Sequence, residues 1–258
     1  MKSNHLLANL AAAATLFSFS PLLLASETDD RIESSAKKSY VFRTYLKDDS
    51  IRTESNNGAV VLTGTVASAA NRSLAADTLE SLPGVTSVDN QLKIRGEDPA
   101  EHSDAWLSAK VRTTLLFHRN VSATKTDVFV ADGVVSLRGE ASSQAQKELT
   151  AEYAGDVEGV KSIRNEMTVA PTPFKPSDTL GEKIDDASIT AQVKASLLSH
   201  RSTSALGTKV ETTDGVVTVS GIAKNAAERS LVTKRVGDIN GVTSVINNMT
   251  LAIPVVRK

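Results

Sequence analysis

Three glycine-bounded segments with one spacing constrain this chain more than any other feature. They are Gly58-Ala-Val-Val-Leu-Thr-Gly64, Gly133-Val-Val-Ser-Leu-Arg-Gly139 and Gly215-Val-Val-Thr-Val-Ser-Gly221. Twenty residues after each second glycine stands a Gly-Val pair, at Gly84, Gly159 and Gly241. Six residues further on comes an asparagine: Asn90, Asn165 and Asn247. A chain with this pattern repeats one small supersecondary unit three times.

Each unit reads as helix, strand, strand, helix, strand. Leu107, Val111 and Leu115 form one helical stripe, as do Ile189, Val193 and Leu197, with Asp104 and Asp186 as candidate caps. Val128 and Val130 alternate with polar neighbours, as strand residues do. Asp132-Gly133 and Asp214-Gly215 are hairpin signals, because glycine tolerates positive φ. Ala145, Leu149, Ala154 and Val157 mark the second helix, which Gly159 is placed to end, as Gly84 and Gly241 are in the other units. The fold class predicted is α+β. Each module is a three-stranded sheet with two helices on one face, near the lower size limit for independent folding. The nine repeated glycines (Gly58, Gly64, Gly84, Gly133, Gly139, Gly159, Gly215, Gly221 and Gly241) are expected at turns or close-packed positions.

The predicted organisation is an export signal over 1–26, then module 1 over 29–95, module 2 over 103–170, a linker over 171–183, and module 3 over 184–253. Lys2, an apolar run from Leu6 to Leu24 and small residues Ala25 and Ser26 make up the signal. Pro171, Pro173 and Pro176 make the linker an extended, semi-stiff spacer. In module 1, Leu46 lies 12 residues before Gly58, whereas Leu116 and Leu198 lie 17 before their glycines. A shortened loop is therefore expected there, with Lys47 at the position of Phe117. The expected product is a secreted protein with no transmembrane span after signal cleavage.

The spacing Gly-x-Val-x-Leu-x-Gly followed by Gly-Val-x-x-Val-x-Asn-x-Leu/Met resembles the BON domain. Residues 133–169 and 215–251 carry it fully, and 58–94 carry it with Ala59 where Val134 and Val216 stand. The resemblance implies a periplasmic envelope or osmotic-stress protein. It implies peripheral binding to anionic phospholipid, such as the inner leaflet of the outer membrane. Alternatively it implies chaperone-like protection of unfolded protein clients.

No catalytic, metal or cofactor set is legible. There is no cysteine, and no His-x-x-x-His pair or phosphate-binding glycine loop. Lys+Arg number 29 against 30 Asp+Glu, a balance unlike that of a nucleic-acid binder. Two features remain as candidate lipid or partner contacts. The first is an echoed loop, His118-Arg119 and His200-Arg201, at the end of each first helix. Two accounts fit it: cations favoured by the helix dipole, or contact with an anion. The second is a set of aromatics in module 2, Trp106, Phe117, Phe129 and Tyr153, at positions that are polar in module 3. They either pack between modules and against linker residues such as Phe174, or form a contact surface.

Overall fold

The computed structural model describes residues 21–96, 100–170, 183–203 and 207–252, with the side chains of 21–26 left aside. Most of the expected export signal, and the linker up to residue 182 with Phe174, lie outside the described residues.

Module 1 comprises α1 (Pro21–Lys38), α2 (Tyr40–Thr44), β1 (Ser50–Asn56), β2 (Ala59–Val66), α3 (Ala69–Glu80), β3 (Ser87–Asn90) and β4 (Lys93–Ile94). Module 2 follows with α4 (Asp104–Phe117), β5 (Thr126–Ala131), β6 (Val134–Ala141), α5 (Gln144–Gly155), β7 (Ser162–Asn165) and β8 (Thr168–Val169). Module 3 has α6 (Asp186–Ser199), β9 (Lys209–Thr213), β10 (Val216–Ser220), β11 (Ile222–Ala223), α7 (Ala226–Gly237), β12 (Ser244–Asn247) and β13 (Thr250–Leu251).

In each sheet the hairpin strands pair antiparallel, and the last strand joins the second in parallel, giving the orders β1-β2-β3, β5-β6-β7 and β9-β10-β12. The last strand is broken in every module, and the repeated asparagine sits at the break. Asn165 accepts from the Met167 N–H and donates to the Lys147 carbonyl of α5. Asn90 bonds in the same way to Leu92 and Arg72, and Asn247 to Met249 and Arg229. One side chain thus satisfies a kinked strand and ties it to the second helix.

The second glycine of each pair is fixed by a close approach of backbone. A side chain there would sit 1.9 Å from the Ser50 carbonyl at Gly64, 2.0 Å from that of Lys125 at Gly139, and 2.4 Å from that of Gly207 at Gly221. Gly84, Gly159 and Gly241 have positive φ but lie beyond the helix caps Ser81, Asp156 and Asp238. They turn the chain into the last strand rather than ending the helix.

Two expectations for the first helices change. Ser103 and Asp185 are the N-caps, not Asp104 and Asp186. Asp104 instead accepts from the Asp132 and Gly133 N–H groups, and Asp186 from those of Asp214 and Gly215. Asp29 makes the same bonds to Asn57 and Gly58, and all three aspartates stand 29 residues before their glycine. Module 1 therefore has no shortened loop. Its first helix breaks at Ser39 and resumes as α2, so the segment read as missing is wound into helix. The counterpart of Phe117 is Phe42, not Lys47.

The apolar core is not divided by module. Modules 1 and 3 share one cluster, which also takes in Phe117 of module 2, while the rest of module 2 has its own. The hub is α6, on which Ala187, Ser188, Ile189, Thr190, Ala191, Gln192, Val193, Ser196 and Leu197 are all buried. A helix buried on nearly all sides serves several neighbours at once.

Candidate functional site

The two His-Arg loops face each other across modules 2 and 3. Arg119 donates from its backbone to the Asp238 carbonyl (3.2 Å), and Arg201 to the Asp156 carbonyl (3.1 Å). Asn240 N–H reaches Phe117 O, and Glu158 N–H reaches Ser199 O, both at 3.0 Å. His118 bridges to Ile239, and His200 to Val157. Each contact recurs with the modules exchanged, the signature of a two-fold isologous interface inside one chain. The Arg119 guanidinium adds bonds to the carbonyls of Gly237, Ile239 and Val242 at 2.5, 2.9 and 2.8 Å. The Arg119 side chain therefore serves carbonyls in the last turn of α7 and just beyond it, in the neighbouring module, and not the end of its own α4.

Tyr153, 1% exposed, stands at the centre. His118 stacks on its ring at 3.9 Å with planes 7° apart. Arg235, the module 3 counterpart of Tyr153, lies 4.8 Å from the ring centroid and pairs with Asp156. The Tyr153 hydroxyl donates to Asp238 at 2.9 Å. Burial, with the charge of Asp238 beside it, pushes the tyrosine pKa upward, so the phenol stays protonated and acts as donor. Glu152 and Lys234 close the rim at 3.4 Å. Phe117 is also buried, edge-on to Tyr45, the C-cap of α2, at 5.3 Å. Six candidate contact residues (Phe117, His118, Arg119, Tyr153, His200 and Arg201) therefore lie in or beside interfaces between modules.

Module 1 docks on a different face of α6. Tyr40 and Val41 donate from the start of α2 to Asp185 (2.7 Å) and Ser188 (3.0 Å). The Tyr45 hydroxyl reaches Gln192, and Lys194 lies 3.4 Å from both Asp77 and Glu80 of α3. On α4 the counterparts of Ser188 and Gln192 are Trp106 and Lys110. Among the described residues no hydrogen bond or ion pair joins either of them to another module. Trp106 is partly exposed, with the Lys110 ammonium 4.4 Å from its ring centroid and His102 edge-on at 5.2 Å. Lys110 also pairs with Glu158 at 3.5 Å. An open cleft of about 410 Å³ lies alongside, lined by His102, Asp104, Trp106, Gly159 and Lys161 among others. In module 3 the same spot is filled: a side chain added at Gly241 would meet Ile184 at 3.0 Å.

Phe129, 51% exposed, points from the uncovered face of the module 2 sheet, with Arg138 5.4 Å away. Trp106 stands on the helical layer, so the module 2 aromatics do not share one face. The docking role of Ser188 and Gln192 escaped sequence reasoning. The signal was a small and an amide residue where the repeat has tryptophan and lysine. Among the described residues no cluster of three or more His, Asp or Glu is placed to hold a metal ion. Among them no helix is long and apolar enough to cross a membrane.

The chain is 35% identical over 146 residues to "Osmotically-inducible protein Y" of Escherichia coli strain K12, covering 57% of this chain and 71% of that protein. It is 27% identical over 144 residues to "Outer membrane lipoprotein DolP" of Haemophilus influenzae, covering 53% and 74%. Among solved structures, a structural protein of the type III secretion system of Chlamydia trachomatis, CdsD, aligns at 17% identity over 86% of this chain and 90% of its own, with a TM-score of 0.24. At the family level, residues 28–96, 103–171 and 185–253 each match the BON domain. With three such matches over most of its length, and a repeated α+β module under each, the chain belongs to the BON domain family.

Proposed function

We propose that this protein is a periplasmic envelope-stress protein that contacts anionic phospholipid peripherally through the outer face of α4. The observation that carries this is the contrast between α4 and α6. At one position of the repeat, module 3 has a serine engaged by module 1, and module 2 has a partly exposed tryptophan between the His102 ring and the Lys110 ammonium. An indole with an apolar body and a polar edge, flanked by a cation, suits the boundary between water and an acidic headgroup layer. Lys161 and the adjoining cleft extend that face. The names of the two relatives, one osmotically inducible and one an outer-membrane lipoprotein, support an envelope role. Export fits the same picture. Asp29, not any residue before 27, is the counterpart of the residues that open α4 and α6, so cleavage near Ser26 leaves the module 1 turn bonds intact.

Co-sedimentation with phosphatidylglycerol vesicles at low salt tests this. Binding is expected, with a blue shift of Trp106, which is the only tryptophan in the chain. Trp106→Ala should weaken binding several-fold, measured at a temperature well below the variant's own thermal midpoint. Equal association with phosphatidylcholine, or an unaffected variant, would refute the assignment. A second reading, protection of unfolded clients, draws on Ile222, Ile246 and Leu251, which stand 62%, 48% and 46% exposed on module 3. Unchanged light scattering of an aggregating client at several-fold excess would count against it.

A further inference from the structure

The centre of the module 2–3 interface holds a histidine whose ring has no side-chain partner among the described residues, with only the Asp238 backbone close enough to favour its charged form. His118 is 2% exposed, and neither ring nitrogen makes a hydrogen bond. Its counterpart His200 accepts at Nδ1 from the Ser202 N–H, while Nε2 stands 3.6 Å from Asp156 without a bond. A buried imidazole without partners is tolerated only in its neutral form.

The charged and titratable groups around His118 come from every packed element. Tyr153, Glu152 and Asp156 belong to α5 and its cap, Arg235, Lys234 and Asp238 to α7 and its cap. His200 and Arg201 follow α6, Arg119 is its own neighbour, and Tyr45 caps α2. Asp156 is already committed to Arg235, and Asp238 to Tyr153. Among the described residues no ion pair joins a carboxylate to the His118 ring, and the nearby Arg235 cation opposes a charge there.

We propose that the joint between modules 2 and 3 is acid-sensitive: it closes around a neutral His118 and opens when that ring is protonated. Burial first, and the Arg235 charge second, hold the His118 pKa down at about 3, with the Asp238 backbone pulling the other way. His200 is shifted in the same direction, by burial and by Arg201. The opened joint leaves His118 near ~6.5, the ordinary histidine value. Between these values the open form binds more protons than the closed one. Closure is therefore complete above the open-state pKa and weakens as pH falls below it. At pH 5 the closing equilibrium drops about 30-fold from this one group. Opening uncovers Tyr153, Phe117, Val157 and Ile239, all buried at neutral pH.

The absence of cysteine allows a donor and an acceptor dye to be placed on the full chain at Ala131→Cys and Thr213→Cys, both exposed at hairpin ends. Transfer efficiency is expected to fall between pH 7.5 and 4.5. His118→Phe, which keeps the ring stack but cannot titrate, should hold its efficiency to lower pH. A constant efficiency in the parent chain, or the same fall in both chains, overturns the proposal. Imidazole NMR of the unlabelled chain provides an independent measurement. If the closed form titrates His118 near 6.5, the joint is not the sensor.

Discussion

Replacing Arg119 with alanine tests the interface where its geometry is least symmetric. Arg119 and Arg201 occupy the same place in the repeat, and each sends its backbone N–H to the equivalent carbonyl of the other module, Asp238 and Asp156 respectively. Their side chains differ. Arg119 Nη2 lies within 2.5–2.9 Å of three carbonyls at the end of α7, whereas Arg201 Nη2 reaches only the Val160 carbonyl, at 3.4 Å. One Nη2 carries two hydrogens, so at most two strong bonds form. A charge-assisted bond contributes about 1.5–3 kcal/mol when desolvated, and water replaces part of it at an exposed guanidinium. Arg119→Ala should therefore cost about 1–2 kcal/mol, and Arg201→Ala under about 0.5 kcal/mol. In urea unfolding with a slope of about 2 kcal/mol/M, the first variant shifts the midpoint down by about 0.5–1 M and the second by less than about 0.3 M. Equal shifts, or a larger one for Arg201→Ala, would refute the assignment of the stabilising bonds to the Arg119 side chain.

Other outcomes follow from the same geometry. Gly139→Ala should lower stability by about 2–4 kcal/mol in thermal unfolding, because a side chain meets the Lys125 carbonyl at 2.0 Å. Gly96→Ala, where nothing lies within 4 Å, should cost about 1 kcal/mol through its positive φ alone. Ser188→Trp, which writes the α4 residue into α6, should expel α2 from its seat. Limited proteolysis between modules 1 and 2 should then accelerate about tenfold or more, with little change in helix content by circular dichroism.

The module was legible because its constraints are local. A positive-φ turn, a backbone too close for a side chain and an asparagine tying a kinked strand to a helix all act within one unit, so each leaves a fixed spacing. The docking of the modules was not legible, because it depends on partners far along the chain. A cation after α4 looks the same in sequence whether it serves its own helix, a phosphate or the end of α7. Tyr153, Arg235 and Thr78 hold one position of the repeat and all three are buried, so polar residues in the sister modules did not mark that position as exposed. The first helix of module 1 was misplaced for a related reason. Leu46 matches Leu116 in hydrophobicity alone, whereas the constant marker is the acid 29 residues before the glycine, which bonds the turn. The His-Arg echo was recognised, but an echo between two repeats is also what a two-fold contact between them produces.

The seat of module 1 on α6 has a consequence for the order in which the molecule is assembled. Tyr40 and its acceptor Asp185 are separated by 145 positions. At about 5–20 residues per second, α2 emerges roughly 7–30 s before the helix that receives it. During that interval Val41, 0% exposed in the finished molecule, has no α6 to lie against. Module 1 is thus made before α6 but completed only after it. A chain ended before α6 would strand its first module with an uncovered apolar face.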